Sequence, residues 1–161
     1  MVEKSKRDLA LEYFDNAYNL HIEGKINEAI KAYKASIKQL PTAKAHTFLG
    51  WAYSLLGEYE EAINQCKVAI GLNPNFGNPY NDIGSYLISL ERHDEAIEWL
   101  EKAILAREYE SRHYPYYNLG MIYEKKGDWF RAMFYYKEAL KILPEYEVAQ
   151  SALLRLTTLL N

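Results

Sequence analysis

Four strings decide how this chain folds: NEAIKAYKASIKQLP at residues 27–41, EEAINQCKVAIGLNP at 60–74, DEAIEWLEKAILARE at 94–108 and FRAMFYYKEALKILP at 130–144. They align without gaps and place Ala29, Ala62, Ala96 and Ala132 in register, at spacings of 33, 34 and 36 residues. Twelve residues after each alanine stand Pro41, Pro74, Glu108 and Pro144, and five before it stand Gly24, Gly57, Glu91 and Gly127. Farther upstream Ala17, Gly50, Gly84 and Gly120 line up as well. A fixed period of this length marks a stacked-repeat architecture.

Each mark in the period has a physical meaning. The segment before each glycine, such as AHTFLGWAYSLLG at 45–57, carries apolar residues at helical spacing and ends in a residue suited to a C-terminal cap. The segment after it repeats the helical spacing and stops at a proline, which cannot continue the hydrogen-bond ladder. A turn of about three residues between them forces the two helices to pack antiparallel. Gly50, Gly84 and Gly120 in the first helices and the four register alanines in the second ones let the axes approach; bulk there would wedge them apart. One hairpin cannot bury its apolar faces alone, so four stack into a solenoid. After Pro144 a ninth helix is predicted, with Val148, Ala149, Ala152, Leu153 and Leu156 on the side that covers the last core face. Ser5 and Asp8 have the spacing of a capping box for the first helix.

The residues Tyr80, Ile83, Gly84, Leu87, Ala96, Leu100 and Ala103, and then Tyr116, Leu119, Gly120, Tyr123, Gly127, Ala132, Tyr136, Ala139 and Pro144, make a pattern that resembles the tetratricopeptide repeat. The resemblance runs from about Ala10 to Asn161. It implies an all-α fold, a right-handed α-solenoid of four antiparallel helix pairs with a ninth, capping helix, as one domain over 1–161. The repeats fall at about 10–42, 43–76, 77–112 and 113–146, and the capping helix at about 146–160. Departures from the pattern are local. Asn16 and Ala17 stand where the family shows a Leu-Gly pair, Glu91 replaces a cap glycine and Glu108 a closing proline, and the loop around AREYESRHYP is two residues longer than its counterpart.

The family geometry also implies a concave groove lined by the first helix of each pair, at positions i, i+3 and i+7. These are Leu11, Phe14 and Tyr18; Lys44, Thr47 and Trp51; Asn78, Asn81 and Ser85; and Tyr114, Tyr117 and Met121. Such a surface is aromatic at both ends and amide-rich in its middle, suited to the contacts and main-chain hydrogen bonds of a bound peptide. The alternative is that several of these aromatics pack between adjacent helices. Asn81 and Asn118 resemble the asparagine-lined groove seen elsewhere in the family. A basic clamp for a partner's terminal carboxylate is not matched, since the corresponding places hold Phe14, Tyr18, Phe48, Asn78 and Asp82. On the last second helix, Phe130 and Phe134 share a face where the other repeats have polar residues. That pair implies a contact either with the ninth helix or with another subunit, which would make a homo-oligomer.

Chemistry-bearing constellations do not emerge. His21, His46, His93 and His113 lie in separate repeats without metal-ligand spacing, and Cys66 aligns with Tyr33, Leu100 and Tyr136, as a buried apolar residue would. No cofactor is called for. With 19 basic against 22 acidic residues, the net charge of -3 offers no footprint for nucleic acid. The charged N-terminus has no secretory core, no apolar run has the length of a membrane span, and a lone cysteine is compatible with a reducing compartment. The sequence therefore leads to the expectation of a soluble, cytoplasmic, non-catalytic scaffold for a protein or peptide ligand, with self-assembly through the convex face and the C-terminal helix as the alternative.

Overall fold

The computed structural model describes residues 3–161, and among them the chain forms nine α-helices and no strand. They are α1 Lys6–Ile22, α2 Ile26–Gln39, α3 Ala43–Leu55, α4 Tyr59–Leu72, α5 Asn78–Ser89, α6 His93–Leu105, α7 His113–Lys125, α8 Trp129–Ile142 and α9 Glu147–Leu160. The helices pair as α1·α2, α3·α4, α5·α6 and α7·α8, each pair packs on the next, α3, α5 and α7 lie side by side, and α1 meets α3 through its aromatic side chains. None is long and apolar enough to cross a membrane.

The turn inside each pair has one geometry. Gly24, Gly57 and Gly127 adopt φ of 79°, 76° and 77°, and the amide three residues past each helix end reaches back to the last turn: Lys25 N to Leu20 O at 2.9 Å, Glu58 N to Tyr53 O at 3.0 Å and Asp128 N to Tyr123 O at 2.9 Å. This reversal satisfies carbonyls that a helix end leaves open. The third repeat makes the same turn without glycine. Glu91 takes φ of 60° and Arg92 N still bonds Leu87 O at 2.9 Å. Tertiary pairing of α5 with α6 thus overrides the steric cost of the left-handed conformation.

At α1 the expected capping box forms, with Asp8 N donating to Ser5 Oγ at 3.1 Å and Ser5 N to Asp8 Oδ2 at 3.2 Å. Inside the solenoid the register alanines are fully buried, as are Tyr33, Cys66, Leu100 and Tyr136 four residues after them. Contact between paired helices is close enough that a Cβ on Gly84 would stand 2.4 Å from Leu100 Cδ2, and one on Gly120 2.5 Å from Tyr136 Cε1. The longer loop between α6 and α7 folds back on the preceding inter-repeat loop. Gly77 N donates to Glu108 O at 3.0 Å and Glu108 N to Asn75 O at 2.9 Å, while buried Tyr109 packs on Gly77. Arg112 fastens the loop by donating to the carbonyls of Ile104, Ala106 and Tyr109.

The ninth helix docks through Ala152 and Leu156 on Ala132 and Tyr136, with Arg155 bidentate on Glu124 at 2.6 and 2.8 Å. Two expectations need correction at this end. Val148 is exposed rather than packed, because the first turn of α9 turns Ala149, one residue on and about 100° around the helix, toward the core. Phe130 and Phe134 are not covered by α9, which uses the opposite, alanine-lined side of α8; they remain 80% and 54% exposed.

Replacing Glu91 by glycine should relieve the left-handed strain and raise the unfolding free energy by ~1 kcal/mol, since the lost ion pair with Lys125 is solvent-exposed and contributes less. Urea denaturation of the parent and the variant checks this; an unchanged or lower midpoint would contradict it.

Candidate functional site

The odd-numbered helices present two cavities and an aromatic cluster along one face of the solenoid. At its N-terminal end Phe14, Tyr18, Phe48 and Trp51 form a chain of edge-to-face rings. Phe48 lies at its centre, 5.2 Å from Phe14, 5.9 Å from Tyr18 and 5.8 Å from Trp51. Aromatic pairs prefer these arrangements because the positive ring edge meets the negative face. Behind Trp51, buried His21 stacks at a centroid distance of 3.8 Å and shares a hydrogen bond of 3.1 Å between its Nδ1 and the Tyr33 hydroxyl. Burial lowers the His21 pKa and raises that of Tyr33, so both stay neutral at physiological pH and Trp51 rests on an uncharged, fixed plate.

The expected groove residues divide by location. Leu11, Phe14 and Lys44 line a cavity of about 380 Å³ between α1, α2 and α3, with the Lys44 ammonium 4.9 Å from the centre of the Phe14 ring. Thr47, Trp51 and Asn78 line a second cavity of about 260 Å³ between α3 and α5, together with Phe48 and Asp82. Tyr18 and Trp51 keep 41% and 37% of their surface open beside it. Ser85 is half-buried one turn farther along α5. At the C-terminal end, Tyr114 and Tyr117 contact the ring of Tyr146 at 5.9 and 5.4 Å, and Tyr117 and Met121 pack on the core beneath α9. The aromatics thus serve both readings: Tyr18, Trp51 and Tyr114 are exposed, whereas Phe14 and Tyr117 are half-buried between helices.

Asn81 is turned inward, whereas Thr47, though buried, lines the second cavity. Thr47 is buried and donates its hydroxyl to Ala43 O at 2.8 Å; Asn81 is buried and its Oδ1 accepts from Asn118 Nδ2 at 3.1 Å. The Asn81–Asn118 pair therefore ties α5 to α7 instead of facing outward with both amides. Helical geometry explains the shift. Position i+3 falls about 60° short of a full turn and i+4 about 40° past it, so Phe48 lines the cavity beside Thr47, and Asp82 lines it in place of Asn81. Both were legible as the i+4 neighbours of Lys44 and Asn78. Tyr146, in the loop before α9, carried no periodic signal.

Asp82 is the unusual group here. Among the described residues no ion pair reaches its carboxylate, although the side chain is half-buried at the α3–α5 cavity. Burial pushes the carboxyl up to about 7, with the Asn81 amide pulling the other way. A carboxylate raised by desolvation inside a cleft costs stability and is a functional-site candidate on that ground.

The sign of the effect on folding is fixed by that shift. The folded pKa lies above the ordinary value of 3.8, so the native state holds more protons across that window and stability declines as pH rises from about 4 to about 7. Asp82→Asn should accordingly stabilise the protein by roughly 1–3 kcal/mol at pH 8, and the gain should vanish below pH 4. Thermal unfolding of both proteins across pH 3.5–8 measures it; a gain independent of pH would contradict the assignment.

Models of the tetratricopeptide repeat match residues 76–145 and 43–76 of the chain. Small glutamine-rich tetratricopeptide repeat-containing protein 2 of Mycosarcoma maydis is 32% identical over 77 residues, which are 47% of this chain and 22% of that protein. Protein bimA of Emericella nidulans is 26% identical over 129 residues, 80% of this chain and 16% of its own length. The chain thus spans about a fifth of the curated relatives it matches. Among solved structures, PilF of Pseudomonas aeruginosa superposes with a TM-score of 0.87 at 19% identity, covering 95% of this chain and 69% of PilF. MamA does so with 0.74 at 25% identity, covering 90% and 79%, and YrrB, a TPR protein with an unusual peptide-binding site, with 0.72 at 19% identity, covering 89% and 73%. Repeat period, turn geometry, helix pairing and these matches agree: the chain belongs to the tetratricopeptide repeat family.

Proposed function

We propose that the chain is a non-catalytic interaction scaffold that holds an extended segment of another polypeptide along the face formed by α1, α3, α5 and α7. The observation that carries this reading is the exposure of Trp51, which lines the α3–α5 cavity, and of Tyr18 on the same aromatic cluster, although that cluster buries its other members more deeply. Large rigid rings at a concave surface provide contact area with little entropy to lose. Asn78, exposed on the same rim, has both a donor and an acceptor for the main chain of an extended ligand. The fold shared with YrrB, itself a peptide binder, supports the same use of the architecture.

Peptides selected from a random displayed library against the parent protein should lose at least about tenfold in affinity toward a Tyr18→Ala, Trp51→Ala variant that retains the parent's circular dichroism, a loss in keeping with truncated aromatic anchors. Equal affinity for both proteins would remove the groove reading.

One observation favours a second reading. Phe130 and Phe134 form an exposed apolar pair on the convex side of α8, next to Trp129, which is 44% exposed. Self-association through this patch predicts that the parent's sedimentation coefficient rises with concentration, while a Phe130→Glu, Phe134→Glu variant stays at monomer mass. Identical behaviour of the two proteins would eliminate it.

A further inference from the structure

We infer that the α3–α5 cavity is a subsite for a cationic side chain, arginine or lysine, of the bound polypeptide, with the Asp82 carboxylate as its counter-ion and Trp51 and Phe48 as the aromatic wall along which its alkyl stem and charged head lie. The inference rests on the groove reading above and adds the chemical class of ligand that this part of the groove takes.

The charge balance of the cavity points one way. Its lining consists of Thr47, Phe48, Trp51, Asn78 and Asp82, one carboxylate and no cation. The groove's own lysine, Lys44, is held over the Phe14 ring, toward α1 and away from α5. A carboxylate half-buried without a counter-charge is an unfavourable arrangement that an incoming cation reverses, because attraction strengthens where the local dielectric is low. The neighbouring rings add to the same preference, since ammonium and guanidinium groups are attracted to aromatic faces. A volume of about 260 Å³ accommodates one long side chain and no folded element. An acidic segment, by contrast, would meet Asp82 with like charge and find no cation in the lining.

Every group packed around Asp82 leaves it as the titrating member. Cys66 on α4 and Tyr86 on α5 are raised by burial and then by Asp82 itself, as is Tyr109 from the α6–α7 loop, so all three stay neutral in the physiological range. From α3 come Thr47, Phe48 and Trp51, which do not titrate there. His21, behind Trp51, is held neutral by burial. A cation binds the ionised carboxyl, so below about pH 7 binding must first release a proton from Asp82, and affinity should fall as pH drops from 8 to 6.

The probe is the set of displayed peptides selected against the parent. Binders should carry an arginine or lysine at one fixed register. Replacing that residue by citrulline or norleucine should weaken binding to the parent by about tenfold or more, whereas Asp82→Asn, which the stability argument expects to remain folded, should bind the basic and neutral forms alike. Affinity for the parent should fall about tenfold between pH 8 and pH 6, with no such fall for Asp82→Asn. Binders that depend on Tyr18 and Trp51 but show no basic residue, or that are indifferent to Asp82→Asn, would overturn the cationic subsite and leave the groove standing. Binders indifferent to Tyr18 and Trp51 would overturn the groove reading and the subsite with it.

Discussion

Everything in this molecule depends on how closely the two helices of a pair approach. Ala29, Ala62, Ala96 and Ala132 are wholly buried, and opposite them stand Ala17, Gly50, Gly84 and Gly120, where even one added methyl would collide with Leu100 at the third repeat and Tyr136 at the fourth. Close approach places the large residues of each second helix into the space beside the small residues of the first. Well-packed interiors transmit such constraints rather than absorb them. The spacing sets the pitch of the stack, and the pitch decides that α1, α3, α5 and α7 lie side by side with their outer faces in a row.

That row is where the chain departs from structural economy. Repeated positions elsewhere are filled according to packing alone: a tyrosine, a cysteine, a leucine and a tyrosine serve equally at 33, 66, 100 and 136 because each fills the local void. Along the groove the corresponding positions differ in chemistry. Phe48 and Asp82 are equivalent residues of successive repeats; the first closes an aromatic cluster and the second places a carboxylate in a cleft without a cation. Burial raises Asp82 to about 7, so the folded protein holds a group that opposes folding at neutral pH. Strain of this kind, set beside exposed Trp51 and Tyr18, separates the middle of the groove from the tyrosine-rich C-terminal end, where rings mostly satisfy one another.

The C-terminal end shows how a repeat stack is finished on one side. Arg155 reaches across to Glu124, which also accepts from the Tyr136 hydroxyl at 2.6 Å, and so α9 is tied to both helices of the fourth pair. Docking uses the alanine-lined side of α8 and leaves Phe130 and Phe134 on the other. The two faces of one helix therefore have different fates, one core and one surface.

Read alone, the sequence determined the number of helices, their pairing and the residues of the core, because these follow from a period of glycine, alanine and proline whose meaning is local: a left-handed turn, a close contact, a broken ladder. Even the departure at Glu91 left the turn intact, since the flanking helices enforce it. Tertiary structure alone decided which groove residues face outward. A difference of one position rotates a side chain by about 100°, so Phe48 joins Thr47 at the cleft and Asp82 faces it where Asn81 was expected. It also decided that α9 covers one side of α8, and that Asp82 lies in a cleft whose lining carries no cation. Those outcomes depend on distances between residues of different repeats, which a periodic pattern makes similar but does not specify.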